Sequence, residues 1–233
     1  MENKFNILFE DNQIIVVEKP QNVPSQGDSS GDNNMLDMIK AYIKEKYNKP
    51  GNVYCGLVHR LDRPTGGVMV FAKTSKSASR LSEQFKTDDV HKIYFAVVIG
   101  CPKVKKGHLV HYLKKDEKNN MVEIVPQSTE GAKRAELDYE VLEEKNGYSL
   151  VKINLITGRS HQARVQMKAL GTPIYGDVKY GGTGAKTGLL NLFAVQLTFD
   201  HPVTKDHMRF ICYPPEDAKM WNIFNLEKYL LIK

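Results

Sequence analysis

Short apolar stretches, Ile7-Leu8-Phe9 and Ile14 to Val17 ending at Glu18, stand on either side of Asp11-Asn12. Two such stretches about turn-forming residues predict a β-hairpin. Gln21 to Asn34 is rich in Gly, Ser, Asn and Asp and predicts a loop. From Met35 to Tyr47 the period changes, placing Leu36, Ile39, Tyr42, Ile43 and Tyr47 on one helical face. Val68 to Ala72 is an unbroken apolar run, the pattern of a buried strand. Thr74 or Ser75 then caps a helix with Ala78, Leu81 and Phe85 on its apolar side. Strands are predicted at Ile93–Ile99, Leu109–Leu113, Met121–Val125, Leu137–Glu143 and Ser149–Leu155. Ser160 is the expected cap of a helix running to Leu170, which Gly171 stops. Strands at Leu192–Thr198 and Met208–Cys212 precede a helix near Ala218–Phe224. Many strands, few helices and hairpin-length links predict an α+β fold with a mostly antiparallel sheet. No internal repeat or linker divides the chain, so a single domain over 1–233 is expected.

Composition narrows the classes. The 233 residues are 41% hydrophobic, enough for a sizeable core. No apolar run approaches the roughly 18 residues of a membrane span. The opening MENKFNILFE carries charge where a signal peptide needs an apolar stretch. Cys55, Cys101 and Cys212 are far apart and without CxxC spacing; they predict free thiols and a cytoplasmic location. The net charge of +6 is a modest excess, so its clustering matters more than its size. Lys103, Lys105, Lys106, Lys114, Lys115 and Lys118 crowd one segment, open to two readings: a solvated hairpin or a phosphate-contacting patch.

The segment with the most chemistry is Leu57-Val58-His59-Arg60-Leu61-Asp62-Arg63-Pro64-Thr65-Gly66-Gly67. A carboxylate sits there between two arginines, whose guanidinium groups favour its ionised form, at a Pro/Gly turn that lets backbone approach a ligand closely. An ionised Asp in basic surroundings suits covalent or electrostatic work on an anionic substrate. Alone, the same residues also read as a turn with surface ion pairs. Two other patterns carry less. His108 and His111 lack the third and fourth ligands of a zinc site. Gly181 to Thr187 evokes a phosphate loop, but Ala185 stands where Gly must precede the Lys, so a flexible turn is expected.

HRLDRPTGG resembles the signature of the RluA-type RNA pseudouridine synthases. Four further segments resemble that family in the same order: Ile7 to Pro20, Lys92 to Gly100, Thr157 to Arg164, and Gly171 to Asp177 continuing through Phe199-Asp200-His201-Pro202. The likeness spans roughly residues 7 to 215. Gly66 replaces the usual Ser, Ala163 an Ile or Leu, and Gln166 a common His; none of these removes a reactive group.

The resemblance implies a curved mixed sheet flanked by helices, with a central catalytic cleft. It implies isomerisation of uridines in ribosomal or transfer RNA by a monomer lacking the separate N-terminal RNA-binding domain of many relatives. Asp62 becomes the catalytic carboxylate, attacking C1′ or assisting by deprotonation at C2′. Arg164 pairs with it, and Tyr94 lies against the target base. Arg60 fills the space of the extruded uridine or contacts phosphate. Arg159 and His161 bind substrate, and Leu192 forms apolar wall or core. Isomerisation is internal to the substrate, so neither cofactor nor metal is expected. Two other classes compete: an RNA-binding protein on the same scaffold whose catalysis has lapsed, and a hydrolase with a nucleophilic Asp, which needs a second carboxylate or a metal cluster.

Overall fold

The computed structural model describes residues 5–87, 89–181, 189–215 and 218–230. The first elements in chain order are β1 (Asn6–Glu10), β2 (Ile14–Lys19), α1 (Met35–Lys46), β3 (Gly56–Leu57), β4 (Gly66–Ala72) and α2 (Ser75–Gln84). Strands β5 (His91–Ile99), β6 (Lys106–Asp116), β7 (Met121–Ile124), β8 (Lys133–Lys145) and β9 (Tyr148–Leu155) follow. Helix α3 (Gln162–Ala169), strands β10 (Leu192–Asp200) and β11 (His207–Ile211), a 3-10 turn (Trp221–Ile223) and α4 (Glu227–Leu230) complete the chain.

Two compact units form, one from residues 1–90 and 196–212, the other from 91–195 and 213–233. In the first, β2 pairs with β1 and with β4, while β3 also pairs with β4, all antiparallel. The hairpin turn closes as its residues dictate: Asp11 Oδ1 accepts from the amides of Gln13 and Ile14, both at 2.8 Å. Every residue of β4 is buried, as its unbroken apolar run requires. Asn34 and Thr74 cap α1 and α2 by accepting from the amides of Asp37 and Ser77. The later part of β10 pairs with β11 over Gln196–Asp200.

In the second unit the strands run in the order β5-β9-β8-β6-β7, again antiparallel. Strands β6 and β8 extend well beyond their apolar centres, because charged residues continue the ladder on faces open to water. Helix α3 packs on β6 and β7. Val165 and Tyr180 join Leu113, Val122 and Ala135 in one apolar cluster there.

Three local expectations need correction. Tyr42 and Tyr47 do not share the buried face of α1, which is Met35, Ile39 and Ile43; both hydroxyls turn to Glu10. Ser160 does not cap α3. The cap residue is His161, in left-handed conformation (φ 51°) and without a side-chain cap, because the Gln162 side chain already closes the turn by accepting from Thr157 Oγ1 and Arg159 N. The helix expected near Ala218–Phe224 is a 3-10 turn. Trp221 and Phe224, both buried, are three residues apart, the repeat that a 3-10 turn eclipses. The glycine-rich stretch after Gly181 lies outside the described residues.

Candidate active site

The Asp62 segment links β3 to β4, and an unusual number of donors converge on its backbone. Four consecutive carbonyls each accept a hydrogen bond. Leu61 O accepts from the Ser25 hydroxyl (2.8 Å) and Asp62 O from the Thr65 amide (2.9 Å). Arg63 O accepts from Lys19 Nζ and Pro64 O from Gln21 Nε2, both at 3.0 Å. Ser25 also accepts from Leu61 N at 3.1 Å, so one hydroxyl holds both sides of that residue. Three of these donors come from residues 19–25, the end of β2 and the loop that follows it. Gly67 leaves the turn at φ 127°, a conformation side-chain-bearing residues rarely adopt. A loop held this way fixes the backbone from which the Asp62 side chain projects, leaving that backbone little to reorganise when charge develops.

Lys19 is the unexpected member. Its side chain is fully buried, and Nζ also donates to Pro20 O (2.9 Å) and Val23 O (2.6 Å). Burial pushes its ammonium from 10.5 down to about 7; the Asp62 charge pulls it back up, and Arg63 lowers it. Asp62 is half-buried and Arg60 exposed. Arg63 donates to Ser30 Oγ (3.1 Å) and forms an ion pair with Asp32 in the loop before α1. His59 accepts from Val70 N (3.0 Å) and stacks on Phe85 at 4.5 Å, a supporting role for the segment.

The remaining sequence-marked residues belong to the second unit. Tyr94 lies in β5, buried and opposite Ile153 of β9. Leu192 opens β10, also buried; the preceding Asn191 accepts from Val97 N at 3.0 Å. Arg159 Nε donates to Arg134 O at 2.9 Å. His161 Nδ1 pairs with the Tyr180 hydroxyl at 2.6 Å. Arg164 is buried on α3 and forks onto Asp177, with Nε to Oδ2 at 2.8 Å and Nη2 to Oδ1 at 2.7 Å. His161, Arg164, Asp177 and Tyr180 thus form one network, while Asp62 and Arg60 belong to the first unit.

Residues 13–169 match the sequence profile of the RNA pseudouridylate synthase family. The chain belongs to that family. It is similar to ribosomal large subunit pseudouridine synthase D of Vibrio cholerae, 33% identical over 229 residues that cover 91% of this chain and 68% of that protein. It is also 34% identical over 218 residues to the uncharacterized RNA pseudouridine synthase YlyB of Bacillus subtilis, covering 91% of this chain and 70% of the other. The structure of human RNA pseudouridylate synthase domain containing 4 superposes with a TM-score of 0.75 at 26% identity, covering 91% of this chain and 89% of that one. The synthase is an RNA uridine-to-pseudouridine isomerase of α+β fold.

Sequence patterns gave no role to Gln21, Ser25, Asp177 or Tyr180, although Asp177 closes the quoted Gly171–Asp177 segment. The available signal for Lys19 was a lysine ending a strand whose other residues are almost all apolar. His108 is taken up by Asp138 (2.7 Å) and Glu136 (2.9 Å), and His111 by Gln166 (3.0 Å). Among the described residues no three His, Cys, Asp or Glu gather to hold a metal ion, and no helix is long and apolar enough to cross a membrane. A cleft of about 630 Å³ beside Tyr213, Trp221 and Phe224 holds none of the motif residues.

Proposed function

We propose that the synthase acts on ribosomal RNA, with Asp62 as its catalytic carboxylate and Tyr94 and Arg164 as the other catalytic residues. The observation that supports the Asp62 assignment is the run of four satisfied carbonyls from Leu61 to Pro64, which fixes the backbone that carries the one carboxylate of the segment resembling the family signature. The names of relatives such as the Vibrio cholerae protein support ribosomal over transfer RNA.

The reaction breaks the N1–C1′ bond of uridine, turns the uracil and joins C5 to C1′. An ionised Asp62 serves it by attack at C1′, as in retaining glycosidases, or by taking a proton at C2′. The uridine must leave its stack to reach a carboxylate. Arg60, which is exposed, either fills the vacated space or contacts phosphate; Arg159, His161 and Leu192 complete the substrate contacts in this reading. The synthase acts as a monomer, and in the cytoplasm, a location that the buried thiol of Cys55 supports.

The test incubates wild type and Asp62→Asn with large-subunit ribosomal RNA and with total transfer RNA, followed by pseudouridine mapping. Wild type should modify defined uridines of the ribosomal RNA, and Asp62→Asn none, while keeping its fold and RNA affinity. Wild-type turnover by Asp62→Asn sinks the assignment. Modification confined to transfer RNA overturns the choice of substrate.

A further inference from the structure

The turn from Ile174 to Asp177 ends in a carboxylate that no motif reading assigned. Asp177 N donates to Ile174 O at 3.1 Å, closing the turn. Gly176 lies inside it at φ 78°, where a Cβ would come within 2.3 Å of Leu189 O, so both conformation and space require glycine. The turn delivers Asp177, 1% exposed, to Arg164, 6% exposed. Both carboxylate oxygens are engaged by the guanidinium, and Oδ1 also accepts from Tyr180 N at 3.2 Å.

Tyr180 backs the arrangement. The Arg164 guanidinium lies 5.0 Å from its ring centre, and its hydroxyl accepts from Val122 N at 2.9 Å while pairing with His161. The fork fixes the plane of the arginine, the ring limits its depth, and β7 fixes the ring. A buried ion pair is a poor device for stability alone, since apolar residues of equal volume commonly do as well. A bidentate fork adds direction, which an apolar pair does not. We propose that Asp177 is a positioning residue for the isomerisation, aiming the Arg164 guanidinium through a buried fork that Tyr180 backs. The proposal rests on the reading of Arg164 as catalytic.

The test measures single-turnover rates at saturating RNA for Asp177→Asn, Asp177→Glu, Arg164→Lys and the Asp177→Asn/Arg164→Lys double variant. Asp177→Asn keeps volume but weakens the fork; Asp177→Glu keeps charge but shifts the guanidinium by a methylene. Each should lower the rate about 100-fold, the scale of a misplacement near 1 Å, with RNA affinity unchanged. In the Arg164→Lys background, Asp177→Asn should cost nothing further, because its effect passes through the arginine. A purely structural Asp177 would slow both backgrounds equally, so additive losses overturn the proposal. Wild-type rates in the Asp177 variants beside a slow Arg164→Lys overturn it while sparing the catalytic reading of Arg164. A wild-type rate in Arg164→Lys instead removes that reading and the proposal with it. If Asp177→Asn does not fold by circular dichroism, Asp177→Glu and its double with Arg164→Lys carry the same comparison.

Discussion

Glu10 at the end of β1 and the lysine-rich strand β6 both bring lysines to carboxylates, yet the two regions differ in how much water remains. The side chains of Glu10 and Lys73 are each 7% exposed. Glu10 accepts from Lys46 (2.7 Å), Lys73 (2.6 Å), Tyr42 (2.8 Å) and Tyr47 (2.9 Å), joining β1 to α1 and to the residue after β4. On β6 the partners stand in solvent: Lys106 and Glu140, opposite each other in the ladder, are 76% and 46% exposed and 3.9 Å apart. Lys105 meets Glu144 in a similarly open pair. Attraction between charges grows as water is excluded, whereas exposed pairs are screened and contribute little. The first region uses charge to fix how β1, α1 and Lys73 meet, and leaving one of its charges unpaired is costly; the second balances charge on a surface.

The largest effect should come from emptying the buried cluster. Glu10→Ala leaves Lys73 buried without its carboxylate and should cost about 3–5 kcal/mol, the range for breaking a buried pair from one side. Urea unfolding checks it. A loss below about 1 kcal/mol would mean the cluster behaves as an exposed pair, and the contrast between the regions would fail.

A smaller effect follows from pH. Burial pushes the Glu10 carboxyl up, but hydrogen bonds from Lys46, Lys73, Tyr42 and Tyr47 outweigh it, bringing the group from 4.5 to about 2. The unfolded chain therefore takes up the proton near 4.5 and the folded protein only near 2. Stability from this group is present above pH 4.5 and lost as pH falls toward 2. Unfolding free energy measured from pH 5 to pH 2.5 should fall in wild type, and Glu10→Gln should remove that part of the slope.

The strands were legible because each has a plain pattern: the short apolar stretches of β1 and β2, the apolar run of β4 and the alternating faces of β8 survive in the fold. The Asp62 segment stands out in the sequence because arginines, proline and glycines crowd around one carboxylate. The donors holding its backbone were not, since Gln21 and Ser25 lie in a polar loop whose composition matches any solvated turn. Tyr42 and Tyr47 satisfied the helical period, but hydroxyls near a carboxylate are drawn to it, and periodicity carries no information about partners on another strand. The same blindness hid Asp177, thirteen positions from the arginine it grips.

The smallest effect concerns the lysines themselves. Lys105→Ala/Lys106→Ala should leave stability close to wild type, as expected for exposed pairs. Its informative readout is RNA binding. A lysine that neutralises a phosphate releases a counterion, adding roughly 0.7 to the slope of log affinity against log salt on single-stranded RNA. Glu144 and Glu140 already face these two lysines, so the double variant should keep the wild-type slope. Glu140→Gln/Glu144→Gln is the sharper arm: with those carboxylates neutralised, the lysines become available to phosphate and the slope should steepen. A slope that falls by roughly 0.7 for each lysine removed would show that the ion pairs open for RNA. Strand β6 would then be part of the RNA interface, and exposure, rather than burial, would mark the charges that serve function in this synthase.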